Sequence, residues 1–132
     1  MILHIDANSF YASCERLFRP DLDNKPIAVL SNNDGMTIAL NQECKNLGFS
    51  RGDVFAKEKY RYQRNNVFVF SSNYTLYADI SKRINMIYEY YCPEVEFYSI
   101  DESFLNFPDW KNLDFVDLAL EIKNCIWQSV HI

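Results

Sequence analysis

The run from Asn73 to Tyr91 constrains this chain more than any other stretch. Its apolar side chains Leu76, Tyr77, Ile80, Ile84, Ile87 and Tyr88 recur at helical spacing, and Pro93 stops it. The spacing predicts a long amphipathic helix that must lay one face on an apolar partner. The next segment supplies one: Glu94 to Ile100 alternates like a strand, Asp101-Glu102 interrupts it, and Ser103 to Phe107 resumes the pattern. That predicts a hairpin with two acids at its apex. Upstream, Met1 to Asp6 reads as a short apolar strand ending in a carboxylate, and Asn8 or Ser9 can cap a helix through Leu17 that Pro20 ends. Pro26 to Ser31 and Met36 to Ala39 read as two strands joined by Asn32-Asn33-Asp34-Gly35, residues that tolerate positive φ. A short helix suits Leu40 to Leu47, with Gly48 placed for a left-handed C-terminal cap. A basic and aromatic stretch comes after it, in which Arg51, Lys57, Lys59, Arg61 and Arg64 interleave with Phe55, Tyr60 and Tyr62, and then a strand from Asn66 to Phe70. Asp114 can cap a last helix bearing Phe115, Leu118, Leu120, Ile122 and Ile126. Strands and helices alternating around an antiparallel hairpin predict an α+β fold rather than a doubly wound parallel sheet.

The composition supports a packed core. Of 132 residues, 48% are hydrophobic and 16% aromatic, so the chain has the material of one ordinary domain and disorder is not expected. No apolar stretch is long enough to cross a bilayer, and the acid at Asp6 comes too early for a secretory signal, so the expected location is cytoplasmic, away from membranes. Cys14, Cys44, Cys92 and Cys125 are widely spaced and contain no C-x-x-C pair, which favours reduced thiols serving as small apolar residues over a zinc site or a disulfide framework. His4 and His131 are isolated, and a lone His in the run Ile2-Leu3-His4-Ile5 is more often a strand residue than a ligand. The net charge of -5 has the wrong sign for a free-standing nucleic-acid binder. Acidic phosphoryl-transfer sites and a DNA grip supplied by another domain both relax that objection.

Chemistry is carried by Asp6, at the end of the first strand, and by the Asp101-Glu102 pair. Carboxylates at the ends of neighbouring strands can converge without a loop to hold them. Three such groups at one point repel unless a hard cation such as Mg²⁺ neutralises them. Two ions about 4 Å apart can activate an attacking hydroxyl and stabilise a leaving phosphate oxygen. Taken singly these are weak signals, since an Asp ending a strand is more often a turn former or cap, and an Asp-Glu dipeptide at a hairpin tip is usually solvated.

Their neighbourhoods raise the signal. Asp6-Ala7-Asn8-Ser9-Phe10-Tyr11-Ala12-Ser13-Cys14-Glu15 resembles the first motif of the Y-family translesion DNA polymerases, and Tyr98-Ser99-Ile100-Asp101-Glu102-Ser103-Phe104 resembles their second acidic motif. Between them, Phe18 to Leu22, Leu30 to Gly35 and Phe70 to Asp79 are similar to the UmuC-like branch (ImpB, MucB and SamB type) of SOS mutagenesis polymerases. The resemblance spans essentially the whole chain.

The resemblance implies a partial polymerase palm, a mixed or antiparallel sheet with packed helices, with a small inserted fingers subdomain. Residues 1–10 would begin the palm, 11–72 form the fingers and 73–132 return to a truncated palm. Asp6, Asp101 and Glu102 would be catalytic, holding two Mg²⁺ ions that Mn²⁺ can replace, with the carbonyl of Ala7 as a further ligand. Tyr11 matches the steric gate that selects deoxynucleotides, whereas Phe10 reads better as core. Lys45 falls where relatives place a cation against the triphosphate, although a solvated face explains a lone Lys beside Glu43 equally well. Gln42 replaces a Tyr that touches the phosphates in many relatives. Met36 and Ile38 fall where small residues roof the nascent base pair, so the roof here is bulkier. A thumb, a little finger and a second family Lys are missing, which suggests a shortened piece or a broken reading frame that is inactive alone. The implied partners of the complete protein are primer-template DNA, dNTP, a processed UmuD-like subunit, the sliding clamp and a recombinase filament.

Two other classes compete. A non-catalytic palm-like module that binds a polymerase or clamp would keep the fold without using the acids, yet all three acids and Tyr11 are retained. A phosphatase using Asp6 as nucleophile needs a second Asp two residues on, where Asn8 stands.

Overall fold

The computed structural model describes residues 1–108, 111 and 114–132. It divides into two compact units, one formed by Met1–Ala7 with Thr75–Ile132 and the other by Asn8–Tyr74. The α+β expectation holds in both.

The first unit is built on a three-stranded antiparallel sheet in the order β1 (Ile2–Asp6), β6 (Glu102–Asn106), β5 (Glu94–Phe97). The amphipathic run folds as helix α4 (Tyr74–Tyr91), which buries Tyr77, Ile80, Ile84 and Tyr88. The last helix, α5 (Phe115–Val130), buries Ile122, Ile126 and Val130. It starts as its sequence predicts, because the Asp114 carboxylate accepts from the backbone N–H groups of Val116 and Asp117 at 3.1 and 3.2 Å. At the far end of the sheet, Phe107 N–H donates to the Met1 carbonyl and the Met1 ammonium donates to the Phe107 carbonyl, which pins β1 in register. The strand expected over Glu94 to Ile100 stops at Phe97. Tyr98 and Ser99 instead turn their N–H groups onto the Glu102 carbonyl.

The second unit has a mixed sheet in the order β3 (Thr37–Leu40), β2 (Ile27–Leu30), β4 (Phe68–Ser71), antiparallel between β2 and β3 and parallel between β2 and β4. Every residue of β2 is buried, which is why Ile27-Ala28-Val29-Leu30 shows no polar alternation. Helix α1 (Phe10–Arg16) lies against β2 and β3, and the short α2 (Gln42–Asn46) lies against β2. A helix that periodicity did not reveal, α3 (Phe55–Arg64), occupies the basic and aromatic stretch. Its Tyr62 enters a core of Ala28, Leu40, Cys44 and Phe49, where the phenol shares a 2.6 Å hydrogen bond with Thr37. Gly48, at φ 91°, follows α2 as expected of a left-handed cap, and a Cβ there would come within 3.1 Å of the Arg61 guanidinium.

Several boundaries move. Leu40 belongs to β3 rather than to the helix after it, and β4 begins at Phe68, two residues later than expected. Ser9 sits at the start of α1 but in the left-handed region at φ 50°, and its side chain makes no capping bond, so the expected cap is absent. All four cysteines are free, three of them buried and Cys125 half-buried.

Candidate active site

Pairing between β1 and β6 sets the register Ile2↔Asn106, His4↔Phe104 and Asp6↔Glu102. Opposed residues of an antiparallel pair point to the same face. Leu3 and Ile5 therefore look inward with Leu105 and Ser103, while Ile2, His4 and Asp6 share the other face with Asn106, Phe104 and Glu102. The His4 and Phe104 rings stack at 4.6 Å on that outer face. Two carboxylates thus stand directly across from each other at the end of a ladder, an arrangement that costs stability for no structural return. The pairing runs one step further, with Ala7 N–H donating to the Asp101 carbonyl at 2.9 Å, so Asp101 adjoins the same end.

The acids have near neighbours that the sequence did not single out. Ser99 Oγ lies 2.9 Å from Asp101 Oδ1 and 3.2 Å from Glu102 Oε2, and His4 Nε2 lies 3.4 Å from Glu102 Oε1. From α4, the buried Ser81 hydroxyl donates to the Ile100 carbonyl, immediately before the acidic pair. Ser81 and Ser99 are short polar residues without a spacing rule, which is why no pattern flagged them. Burial pushes the Tyr88 phenol up to about 12, and the negative charge of Asp6 adds to the shift.

The donor set is all oxygen and suits a hard divalent cation in kind. Among the described residues, however, no three His, Cys, Asp or Glu side chains are gathered to hold a metal ion. Asp101 and Glu102 are turned toward Ser99, and Glu102 also toward His4. Two of the carboxylates are brought into register by the backbone, and side-chain rotation would be needed to draw all three onto one ion.

The nucleotide-binding candidates lie in the second unit. Tyr11, half-buried on α1, meets Tyr74 edge-on at 6.0 Å, while its neighbour Phe10 is buried. Met36 and Ile38 flank the buried Thr37 and so face away from the Tyr62 core. Gln42 opens α2 and donates to Asn46 Oδ1 at 2.8 Å, and Lys45 is exposed in the last turn of the same helix. Asn41 holds that helix in place. Its Oδ1 accepts from Ile27 N–H at 2.9 Å and Cys44 N–H at 3.0 Å, and its amide donates to the Lys25 carbonyl at 2.6 Å. A polar cleft of about 170 Å³, lined by Asn8, Ser9, Ser13, Arg16, Asn41 and Gln42, opens beside it. Of the five candidates only Gln42 lines this cleft.

Residues 5–132 match the model of the impB/mucB/samB family. Over 128 residues the chain is 48% identical to the protein UmuC of Salmonella typhimurium, a match covering 96% of this chain and 30% of that one. It is 34% identical over 137 residues to a protein named DNA polymerase IV from Acetivibrio thermocellus, covering 100% of this chain and 34% of that one. The crystal structure of DinB from Sulfolobus solfataricus matches with a TM-score of 0.85 at 24% identity, over 98% of this chain and 39% of that one, a likeness of fold. The chain spans about a third of the length of these curated relatives.

Proposed function

The chain belongs to the impB/mucB/samB family, and from that premise we infer that it is the metal- and nucleotide-binding portion of a Y-family DNA polymerase that copies past damaged bases. The observation that carries this reading is the pairing of Asp6 with Glu102 on an outward sheet face, with Asp101 beside them. Residues 1–10 and 73–132 act as palm and 11–72 as fingers. Asp6, Asp101 and Glu102, with the Ala7 carbonyl, would hold two Mg²⁺ ions, or Mn²⁺ in their place. Such ions, when bound, supply charge neutralisation at the reacting phosphate and an activated primer hydroxyl.

The remaining roles belong to the chain's own groups. Ser99 Oγ, within hydrogen-bond reach of both Asp101 and Glu102, and His4, beside Glu102, orient the carboxylates. Tyr11 presents its ring to the sugar of the incoming nucleotide and excludes a 2′-hydroxyl. Lys45 offsets triphosphate charge and Gln42 donates an amide hydrogen bond, both positioned by the Asn41 clamp. Met36 and Ile38 form a roof over the base pair. Primer-template DNA and dNTP are the substrates of the complete protein, and a UmuD-like subunit, the clamp and a recombinase filament are its partners in the SOS response in the cytoplasm. The piece alone, a third of its relatives' length, is inactive in extension.

The engagement of Asp101 and Glu102 by Ser99, and of Glu102 by His4, favours one other reading, a non-catalytic palm-like module that binds a polymerase or clamp. Metal binding decides between them. Titrating Mn²⁺ in the presence of dNTP, followed by the electron-spin signal of the free ion, should show uptake by the chain. Asp6→Ala and Glu102→Ala should each weaken it by about tenfold or more. Uptake that is absent in the wild type, or unchanged from the wild type in both variants, removes the catalytic assignment and leaves the module.

A further inference from the structure

The sheet of the first unit has two edges, and they are not alike. Antiparallel bonding alternates along a strand, and Met1 and Ala7 bond across to Phe107 and Asp101. The N–H and C=O groups of Ile2, His4 and Asp6 therefore point away from β6, to an edge where no described strand pairs with β1. At the other edge, β5 carries Glu94 and Glu96, charges that deter a further strand. β1 has no such guard along its length. Ile2 to Ile5 is apolar apart from His4, and its one acid, Asp6, stands at the end.

The side chains beside that edge are incompletely covered as well. Leu3 and Ile5 point inward yet stay half-buried, whereas Leu105 and Ser103 opposite them are buried. On α5, Val116, Leu120 and Trp127 fall on one stripe and are 69%, 52% and 51% exposed. The flank of α5 that faces α4 is a different one, marked by Glu121, whose carboxylate accepts from the Tyr91 hydroxyl at 3.3 Å. Helix α4 is in turn tied to the β5–β6 side, through Ser81 to the Ile100 carbonyl and through Cys92, just past its end, to the carbonyls of Glu94 and Asn106. The bare stripe of α5 is thus left on the side of β1. A solvated flank accounts for one stray aliphatic residue, not for a tryptophan in line with two of them.

We propose that two copies of this chain join edge to edge through antiparallel pairing of β1 with β1, each copy covering the joint with its α5 stripe. The strand is complementary to itself in that sense only. It starts with the Met1 ammonium and ends with the Asp6 carboxylate, so an antiparallel mate sets each charge toward its opposite and a parallel mate sets like beside like. A register centred on His4 pairs Ile2 of each copy with Asp6 of the other and makes roughly six new backbone bonds. These contacts use backbone groups and apolar side chains, so they stand apart from the metal-dependent reading.

The test is sedimentation equilibrium of the 132-residue chain in EDTA, where metal binding plays no part. The wild type should pass from monomer to dimer as its concentration rises. His4→Pro removes an outward N–H while sparing the bonds to β6, and should weaken the dimer about tenfold or more. Trp127→Ser should weaken it about tenfold, and Val95→Pro at the guarded edge should leave it unchanged, each variant being checked for native circular dichroism. Mild oxidation should link His4→Cys into a covalent dimer, because the two-fold axis brings position 4 of both copies together. It should not link Ile2→Cys, whose two copies stand about 14 Å apart in that register. A wild type that stays monomeric at every concentration overturns the proposal and gives the edge to a strand of another protein. A dimer indifferent to Trp127→Ser or to a folded His4→Pro overturns it too, as does one weakened equally by Val95→Pro or linked as readily through Ile2→Cys as through His4→Cys. Because the assay excludes metal, its failure leaves the Mn²⁺ result standing, and the reverse also holds.

Discussion

The two units of this chain differ in charge and in how they use a sheet. The unit of Met1–Ala7 and Thr75–Ile132 carries eleven Asp and Glu against four Lys and Arg, a net of -7, whereas Asn8–Tyr74 carries seven against nine, a net of +2. In the acidic unit β1 alternates between half-buried and exposed positions and offers a polar face; in the other, β2 is buried throughout. One sheet displays chemistry and the other is a core. An overall charge of -5 therefore misrepresents both halves, and it conceals that five of the nine cations of the second unit fall between Arg51 and Arg64.

The contrast can be broken most sharply at the acids. In a protein that supplies the rest of the relatives' length, Asp101→Ala should cut primer extension by about a thousandfold or more, measured as single-turnover rate. A rate equal to wild type would make the acidic face ornamental. A smaller effect sharpens the structural side. Asn41→Ala removes acceptors for the Ile27 and Cys44 N–H groups and should lower stability by about 2 kcal/mol in urea unfolding, without changing the charge of its unit. The smallest effect is in alkali. The Tyr88 phenol, in the acidic unit, is raised from an ordinary value of 10.0 to about 12, so the folded chain keeps its proton longer than the unfolded one does. Its contribution is complete below about pH 10 and is lost as pH rises from there through about 12. Burial likewise raises Tyr62 in the basic unit, where its bond to Thr37 opposes the shift. Tyr88→Phe should flatten the fall of melting temperature with pH more than Tyr62→Phe does.

Much of the fold is legible in the sequence where a pattern has a period. The helix to Tyr91, the hairpin after Pro93, the strand ending at Asp6 and the Asp114 cap each rest on a repeat or a cap with a stated geometry. Helix α3 is hidden because half of its residues are charged and Tyr62 is its only buried residue, so an apolar stripe never forms. The register that sets Asp6 opposite Glu102 is invisible for another reason: it is decided by contacts far apart in sequence, among them the bonds between Met1 and Phe107. Ser81 and Ser99 belong to the same class of pairwise, aperiodic contacts.

The Ser81 bond has a reach beyond its size. By fastening the Ile100 carbonyl to α4, it makes the longest helix a bracket from which the acidic turn is suspended. Alterations along the exposed side of that helix, remote from any reacting atom, can therefore tilt the turn and reset the spacing of the acids, so revertants of a weakened variant should be sought on α4 as readily as beside the acids themselves.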